Sequence, residues 1–193
     1  ERTPVPVADL REILGEIQDD DRRAAEIIGR IRGLLRKELR GVGTIDLNDV
    51  IRGVQRLLAA TAARRGVGVR LDLAHDEMLV AADRAQPEQV VLNLMTSGFE
   101  AMAHSERREM VIATRHDAGG VEVSLTDTGP GISPGELSRM FEPFFTTKSE
   151  GLGLGLSIVQ SIVEAGGGSI EADNRVEGGA VVRFYWPAAE VTA

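Results

Sequence analysis

The sequence has no cysteine among its 193 residues, which excludes disulfides and thiolate metal sites and fits a reducing compartment. It also lacks an uninterrupted apolar stretch of the ~20 residues a bilayer span needs, and no cleavable leader is expected in this segment. Positive charge is in deficit: 22 basic against 30 acidic residues leave a net charge of −8. A polyanionic partner is normally met by a basic stripe, so nucleic acid binding is not expected. Aromatic residues are scarce at 4%, which makes any cluster of them informative. What is present is a globular composition, with 42% hydrophobic residues, enough for a sizeable core. The first residue is Glu1 rather than Met, so the segment is expected to come from a longer protein; from the absent cysteines and the absent membrane-length run it is expected to be cytoplasmic and to make no membrane contact itself, any anchor lying outside it.

Two regions differ in period. Leu10, Leu14, Ile17, Ala24, Ile28, Ile31 and Leu35 follow alternating steps of four and three, with Asp21 in the one missing seam position and Ile13, Ile27 and Leu34 widening the stripe. A helix of roughly 30 residues cannot bury such a stripe by itself, so partnership in a helical bundle is expected; the plain alternative is an ordinary long core helix. Up to Gly43 there are nine basic and nine acidic residues, so the rest of the chain, with 13 and 21, carries the whole −8. Of 22 glycines, 13 fall between Gly119 and Gly179. Both shifts place a domain boundary near Gly41 to Gly43, giving residues 1–43 and 44–193.

In the second region, Asn48 is expected to cap a helix through Val50, Ile51, Val54, Leu57 and Leu58 that stops at Gly66. Val67, Val69, Leu71 and Leu73 alternate with polar or small residues as a half-buried strand does, and a short strand follows at Met78 to Ala82. Pro87 opens a helix with Val90, Val91, Leu94, Met95 and Ala101 on its buried face. Met110 to Arg115 and Val121 to Thr126 are predicted strands joined by Asp117-Ala118-Gly119-Gly120. A helix over Leu156 to Ala165 and a hairpin of Ser169 to Ala172 with Val181 to Trp186, turning at Gly178-Gly179, close the chain. The predicted class is α/β: a two-layer sandwich of a mixed sheet covered by helices, preceded by one long amphipathic helix.

The run GLGLGLSIVQ puts glycine at 151, 153 and 155. In a strand these would leave one face bare, so a loop is expected, feeding a helix whose unpaired N–H groups and dipole suit phosphate. The spacing matches neither the P-loop nor the dinucleotide fingerprint. Upstream, DTGPGI begins with Asp127 at a strand end, where a carboxylate can accept a hydrogen bond from an exocyclic amine; a turn-forming aspartate is the plainer reading. FEPFFTTK, residues 141–148, is an aromatic cluster ending in Lys148 beside the glycine loop, so its phenylalanines are expected to anchor the loop while Lys148 faces phosphate.

In order, NLMTSGFEAM (Asn93 to Met102), DTGPGI, FEPFFTTK and GLGLGLS resemble the N, G1, F and G2 boxes of bacterial sensor histidine kinases of the GHKL superfamily. This is the Bergerat-type ATP-binding fold shared with type II topoisomerases, mismatch-repair ATPases and heat-shock chaperones. IQDDDRRAAEIIGRIRGLLRK resembles the second helix of the family's dimerisation and phosphotransfer hairpin, and GGAVVRFYWP its closing strand. The resemblance implies ATP and Mg2+ as cofactors, Asp127, Gly129 and Gly131 at the adenine, and Asn93 and Ser97 as the metal-facing pair one helical turn apart. It further implies Gly151, Leu152, Gly153, Leu154 and Gly155 in the hinge and seat of a lid over the triphosphate, and Lys148 as a phosphate-facing cation. The implied partners are ATP or ADP, a response regulator receiver domain, and a second copy docked through the N-terminal helix.

Two departures stand out. Ser97 occupies a position where the family usually has asparagine, and its hydroxyl reaches less far toward a metal that demands octahedral geometry at ~2.0–2.1 Å. The phospho-accepting histidine is missing, since His75, His104 and His116 all fall outside the first hairpin helix and are expected at the surface. The leading expectation is therefore an enzyme fragment that binds nucleotide without phosphorylating itself. The alternatives are a degenerate nucleotide-binding regulatory module and another ATPase or serine kinase of the superfamily.

Overall fold

The structure, a computed structural model, describes residues 41–148 and 151–189. The long helix expected over residues 10–35, with its seam, lies outside the described residues.

Strand β1 (Gly43–Asp46) leads directly into helix α1 (Leu47–Arg65). The cap is Asp46 rather than the expected Asn48: Asp46 has extended backbone angles and its Oδ1 accepts from the Asn48 N–H at 2.9 Å and from the Met78 N–H at 3.0 Å. Leu47 is fully buried, and the helix begins two residues earlier than expected, taking Leu47 as its first residue. Asn48 is instead a buried tie, its amide donating to the carbonyls of Ala74 and Asp76 and its oxygen accepting from the Thr114 hydroxyl at 2.8 Å. The helix ends as expected at Gly66, whose φ of 65° lets it turn back onto the Ala62 and Ala63 carbonyls.

Strands β2 (Gly68–Asp72) and β3 (Leu79–Ala82) precede helix α2 (Ala85–Ala101). Pro87 is the third helical residue, where a missing N–H has no partner to lose. Strands β4 (Glu109–Asp117) and β5 (Gly120–Asp127) meet at a tighter turn than the four residues expected, Ala118 and Gly119, both at positive φ. A short helix α3 (Pro134–Leu137) carries a Ser133–Glu136 capping box. Helix α4 (Gly155–Ala165) and strands β6 (Ser169–Asn174) and β7 (Ala180–Pro187) complete the chain.

The main sheet has the order β2-β4-β5-β7-β6, parallel between β2 and β4 and antiparallel elsewhere; β1 and β3 form a separate antiparallel pair. Register brings Ile112, Leu125 and Val182 side by side, and Thr114, Val123 and Phe184, so that one face of the pleat is apolar. That face packs in one core with Val50, Ile51 and Val54 of α1, Val91, Met95 and Phe99 of α2, and Val159 and Val163 of α4. Removing a fully buried ring such as Phe184 or Trp186 would cost about 3–5 kcal/mol. The other face carries charge, with Arg115 paired to Glu122 and Arg183 near Glu171 and Asp173. This is the two-layer α/β sandwich expected. No helix among the described residues is long and apolar enough to cross a membrane.

Candidate functional site

Helix α2 touches the DTGPGI, FEPFFTTK and GLGLGLS segments. Near its middle Asn93, buried, donates from Nδ2 to the Gly155 carbonyl at 3.3 Å, tying α2 to the start of α4. One turn further, Ser97 lies half-buried on the same side. At Gly98 an added Cβ would make only ordinary contact with Asp127, 4.0 Å from Oδ2, but would meet the flexible end of the Met110 side chain at 2.4 Å. Glu100 then pairs with Lys148, and Gly129 backs onto Ala101.

Asp127 ends β5, a central strand bonded on both sides. Its Oδ1 accepts from the N–H of Gly129 at 2.8 Å and of Ala180 at 3.3 Å. Among the described residues, Oδ2 accepts no hydrogen bond, which leaves it to serve an incoming donor. Burial pushes the carboxyl above the ordinary aspartate range, while the two N–H groups and the charge of Arg175 pull it back. Asp127 is thus a turn residue whose second carboxylate oxygen is unpaired among the described residues.

Gly129 has a specific steric role, because a Cβ there would meet Asp127 Oδ1 at 2.9 Å. Gly131, at φ 81°, sits against the Asn174 carboxamide. Gly153, at φ 64°, passes so close under Phe144 and Phe145 that a Cβ would lie 2.5 Å from their backbone, and its carbonyl accepts from the Phe144 N–H at 3.0 Å. A Cβ at Gly151 would meet the Thr146 hydroxyl at 2.8 Å. At Gly155 it would meet open space. Leu152 is 42% exposed whereas Leu154 is buried and precedes α4 with no side-chain cap, so the first N–H groups of that helix are available to an anion.

One expectation about residues 141–148 needs correction. Phe144 does not anchor the loop by burial: at φ 66° its side chain is turned outward and is 74% exposed, and it is the backbone that holds Gly153. Phe145 is half-buried, with the Arg139 guanidinium 4.5 Å over its ring. Lys148 points to Glu100, which neutralises it in this conformation. His75, His104 and His116 are all exposed, as expected.

Sequence reasoning missed Gly98, Thr128, Asn174 and Gly179. The Thr128 hydroxyl accepts from the Glu109 N–H and donates to the Arg107 carbonyl, and a Cβ on Gly179 would fall 2.0 Å from the Asp127 carbonyl oxygen. The cue for Gly98 was a glycine inside a helix; the others carried only ordinary turn signals. Among the described residues no three His, Cys, Asp or Glu side chains cluster to hold a metal. Asn93 Oδ1 accepts one hydrogen bond, from Gln89 Nε2 at 2.8 Å, so a second lone pair is open; with the Ser97 hydroxyl it is a hard oxygen donor set of the kind Mg2+ takes beside phosphate. A groove of about 190 Å³ between α1, β2 and Met95 lies elsewhere and shares none of these residues.

Residues 82–190 match the model of the histidine kinase-, DNA gyrase B-, and HSP90-like ATPase family. Sensor protein FixL of Bradyrhizobium diazoefficiens is 40% identical over 169 residues, 87% of this chain and 34% of that protein. The C4-dicarboxylate transport sensor protein DctB of Pseudomonas aeruginosa is 36% identical over 181 residues, 92% of this chain and 29% of its own length. The chain thus spans about a third of these relatives. The nucleotide-free catalytic domain of histidine kinase ThkA superposes with a TM-score of 0.70 at 33% identity, over 76% of this chain and 95% of that one. ThkA in complex with response regulator protein TrrA gives 0.78 at 27% identity, over 100% of this chain and 55% of that one. With three of its motif segments gathered along α2, its sequence matched in sensor proteins and its fold in a histidine kinase catalytic domain, the chain belongs to the histidine kinase-, DNA gyrase B-, and HSP90-like ATPase family, as a catalytic region of the sensor histidine kinase kind.

Proposed function

We propose that this chain binds ATP with Mg2+ and, in the full-length protein, serves transfer of the γ-phosphoryl group to a histidine outside the segment and onward to a response regulator's receiver domain. The observation that carries the reading is the free Oδ2 of Asp127 and the uncapped start of α4 flanking one helix, α2. Asp127 accepts the exocyclic amine of adenine, and Gly129 and Gly131 leave room for the flat base. The N–H groups at the start of α4 meet the phosphates, and Lys148 exchanges Glu100 for phosphate oxygen. Mg2+, when bound through Asn93 and Ser97, supplies charge neutralisation at the phosphates. The rest is positioning, which is what phosphoryl transfer asks of a protein.

Residues 1–43 are read as the second helix of a dimerisation and phosphotransfer hairpin, 44–193 as the ATP-binding domain, with homodimerisation through the former and a cytoplasmic location. FixL and DctB, named as sensors, and ThkA, solved with a response regulator, support this. The test is calorimetric titration of this chain with a nonhydrolysable ATP analogue, with and without Mg2+, beside Asp127→Asn. Binding that is Mg2+-dependent and weakened by the substitution is expected; undiminished binding to Asp127→Asn would refute the adenine assignment. Ser97 favours a second reading, a regulatory module with impaired catalysis. Ser97→Asn should then strengthen Mg2+-dependent binding, and supplying the missing hairpin helix in trans should yield no acid-labile phosphohistidine, whereas a competent enzyme would produce it.

A further inference from the structure

Asn174, the last residue of β6, makes a contact that neither its strand nor its turn requires. Its Oδ1 accepts from the Ile132 N–H at 2.7 Å and its Nδ2 donates to the Ile132 carbonyl at 2.6 Å, so one side-chain amide pairs with one backbone residue as a neighbouring strand would. Ile132 closes the Asp127-Thr128-Gly129-Pro130-Gly131 loop, and Gly131 reaches its φ of 81° against the same carboxamide, where a Cβ would be 2.8 Å from Oδ1. The other end of the β6–β7 turn grips the start of that loop: Ala180 N–H binds Asp127 Oδ1, and Gly179 lies against the Asp127 carbonyl. Thr128 fixes the loop's outer side to residues 107 and 109.

We infer that Asn174 is a positioning residue for base recognition: its carboxamide clamps the far end of the loop and so fixes the base-reading geometry around Asp127. The inference rests on the adenine reading of Asp127. A clamp of two short hydrogen bonds transmits to the site because the loop has few residues between its fixed ends, and losing it frees Gly131, which glycine's wide conformational range then lets wander from φ 81°. Asn174 itself does not touch the base.

The test compares ATP with inosine triphosphate, which carries a carbonyl in place of the exocyclic amine. Both are titrated into the full chain, into Asn174→Ala and into Asn174→Asp, which keeps the acceptor for the Ile132 N–H but loses the donor. Asn174→Ala is expected to lose about tenfold in ATP affinity, the scale of one or two hydrogen bonds, with little change for inosine triphosphate, so that discrimination collapses. Asn174→Asp should recover part of it. Equal losses for both nucleotides, or an unchanged ratio, would mark Asn174 as merely structural and overturn the inference, as would an Asp variant no better than Ala. Asp127→Asn in the same titrations separates the two failures. If it still prefers ATP, the adenine reading falls; if it loses the preference while Asn174→Ala keeps it, only the clamp falls.

Discussion

Asp127 ends a strand paired on both sides, and its carboxylate is held by two backbone N–H groups, whereas Gly153 lies in an exposed segment tied chiefly by one backbone hydrogen bond from Phe144. Around Asp127 the ties come from β5, β7, the Thr128 hydroxyl and Asn174; the two to Asp127 itself are partly shielded from water, those of Thr128 and Asn174 are exposed. Around Gly153 they are an exposed Lys148–Glu100 pair, a 3.4 Å bond from the Gly151 N–H to the Lys148 carbonyl, and an outward Phe144. Few buried contacts and solvent-exposed hydrogen bonds mean low local stability, so the two regions divide the work. In the proposed function the stiffer region reads the base and the looser one covers the phosphates.

The sharpest way to break the stiff region is Gly179→Ala. Its φ of 88° and the Cβ clash 2.0 Å from the Asp127 carbonyl predict a loss of about 3 kcal/mol or more and the disappearance of nucleotide binding, read by denaturant melts and calorimetry. Gly153→Ala should separate the regions: strain of about 1–2 kcal/mol falls on a weakly held segment, so global melting moves little while analogue affinity drops about tenfold or more. Gly155→Ala is the control, because open space and a helical backbone predict stability unchanged or raised by under about 1 kcal/mol. A Gly153→Ala melt as damaged as that of Gly179→Ala would erase the distinction.

Acid sharpens the comparison further. Burial raises the folded-state pKa of Asp127 above its unfolded value, so the folded state takes up a proton first. The burial penalty on the ionised group is therefore present above the folded pKa and is relieved as pH falls through it toward the unfolded value. Nucleotide binding, which needs the charged acceptor, should weaken over the same window, at a higher pH than an ordinary aspartate would give. Thermal-shift titrations with the analogue should show this acid limb, and Asp127→Asn should lack it. The smallest effect belongs to the loose side: Glu100→Gln frees Lys148 from an exposed pair worth about 0–1 kcal/mol, raising analogue affinity by no more than about fivefold and leaving melting unchanged.

Most of the fold was legible because its signals are local. Val69 and Leu71, or Val121, Val123 and Leu125, alternate with the pleat, and Gly66 stops α1 for a reason contained in one residue's backbone angle. The motif order likewise marked Asn93, Asp127 and the glycine run. Capping was misread at Asn48 because Asp46 and Asn48 are both capping residue types, and only the need to bury Leu47 chooses between them. Phe144 was misread because composition says nothing of a positive φ.

By itself the sequence determined most of the strands and helices, their apolar faces and the stop of α1 at Gly66, since each follows from periodicity or from sterics within a few bonds. Tertiary structure alone decided that Asn174 grips Ile132 from 42 residues away, that Gly179 backs Asp127, and that Lys148 finds Glu100. Those contacts depend on which strand ends up beside which, and strand neighbours are selected by the burial of the whole core rather than by any stretch of chain.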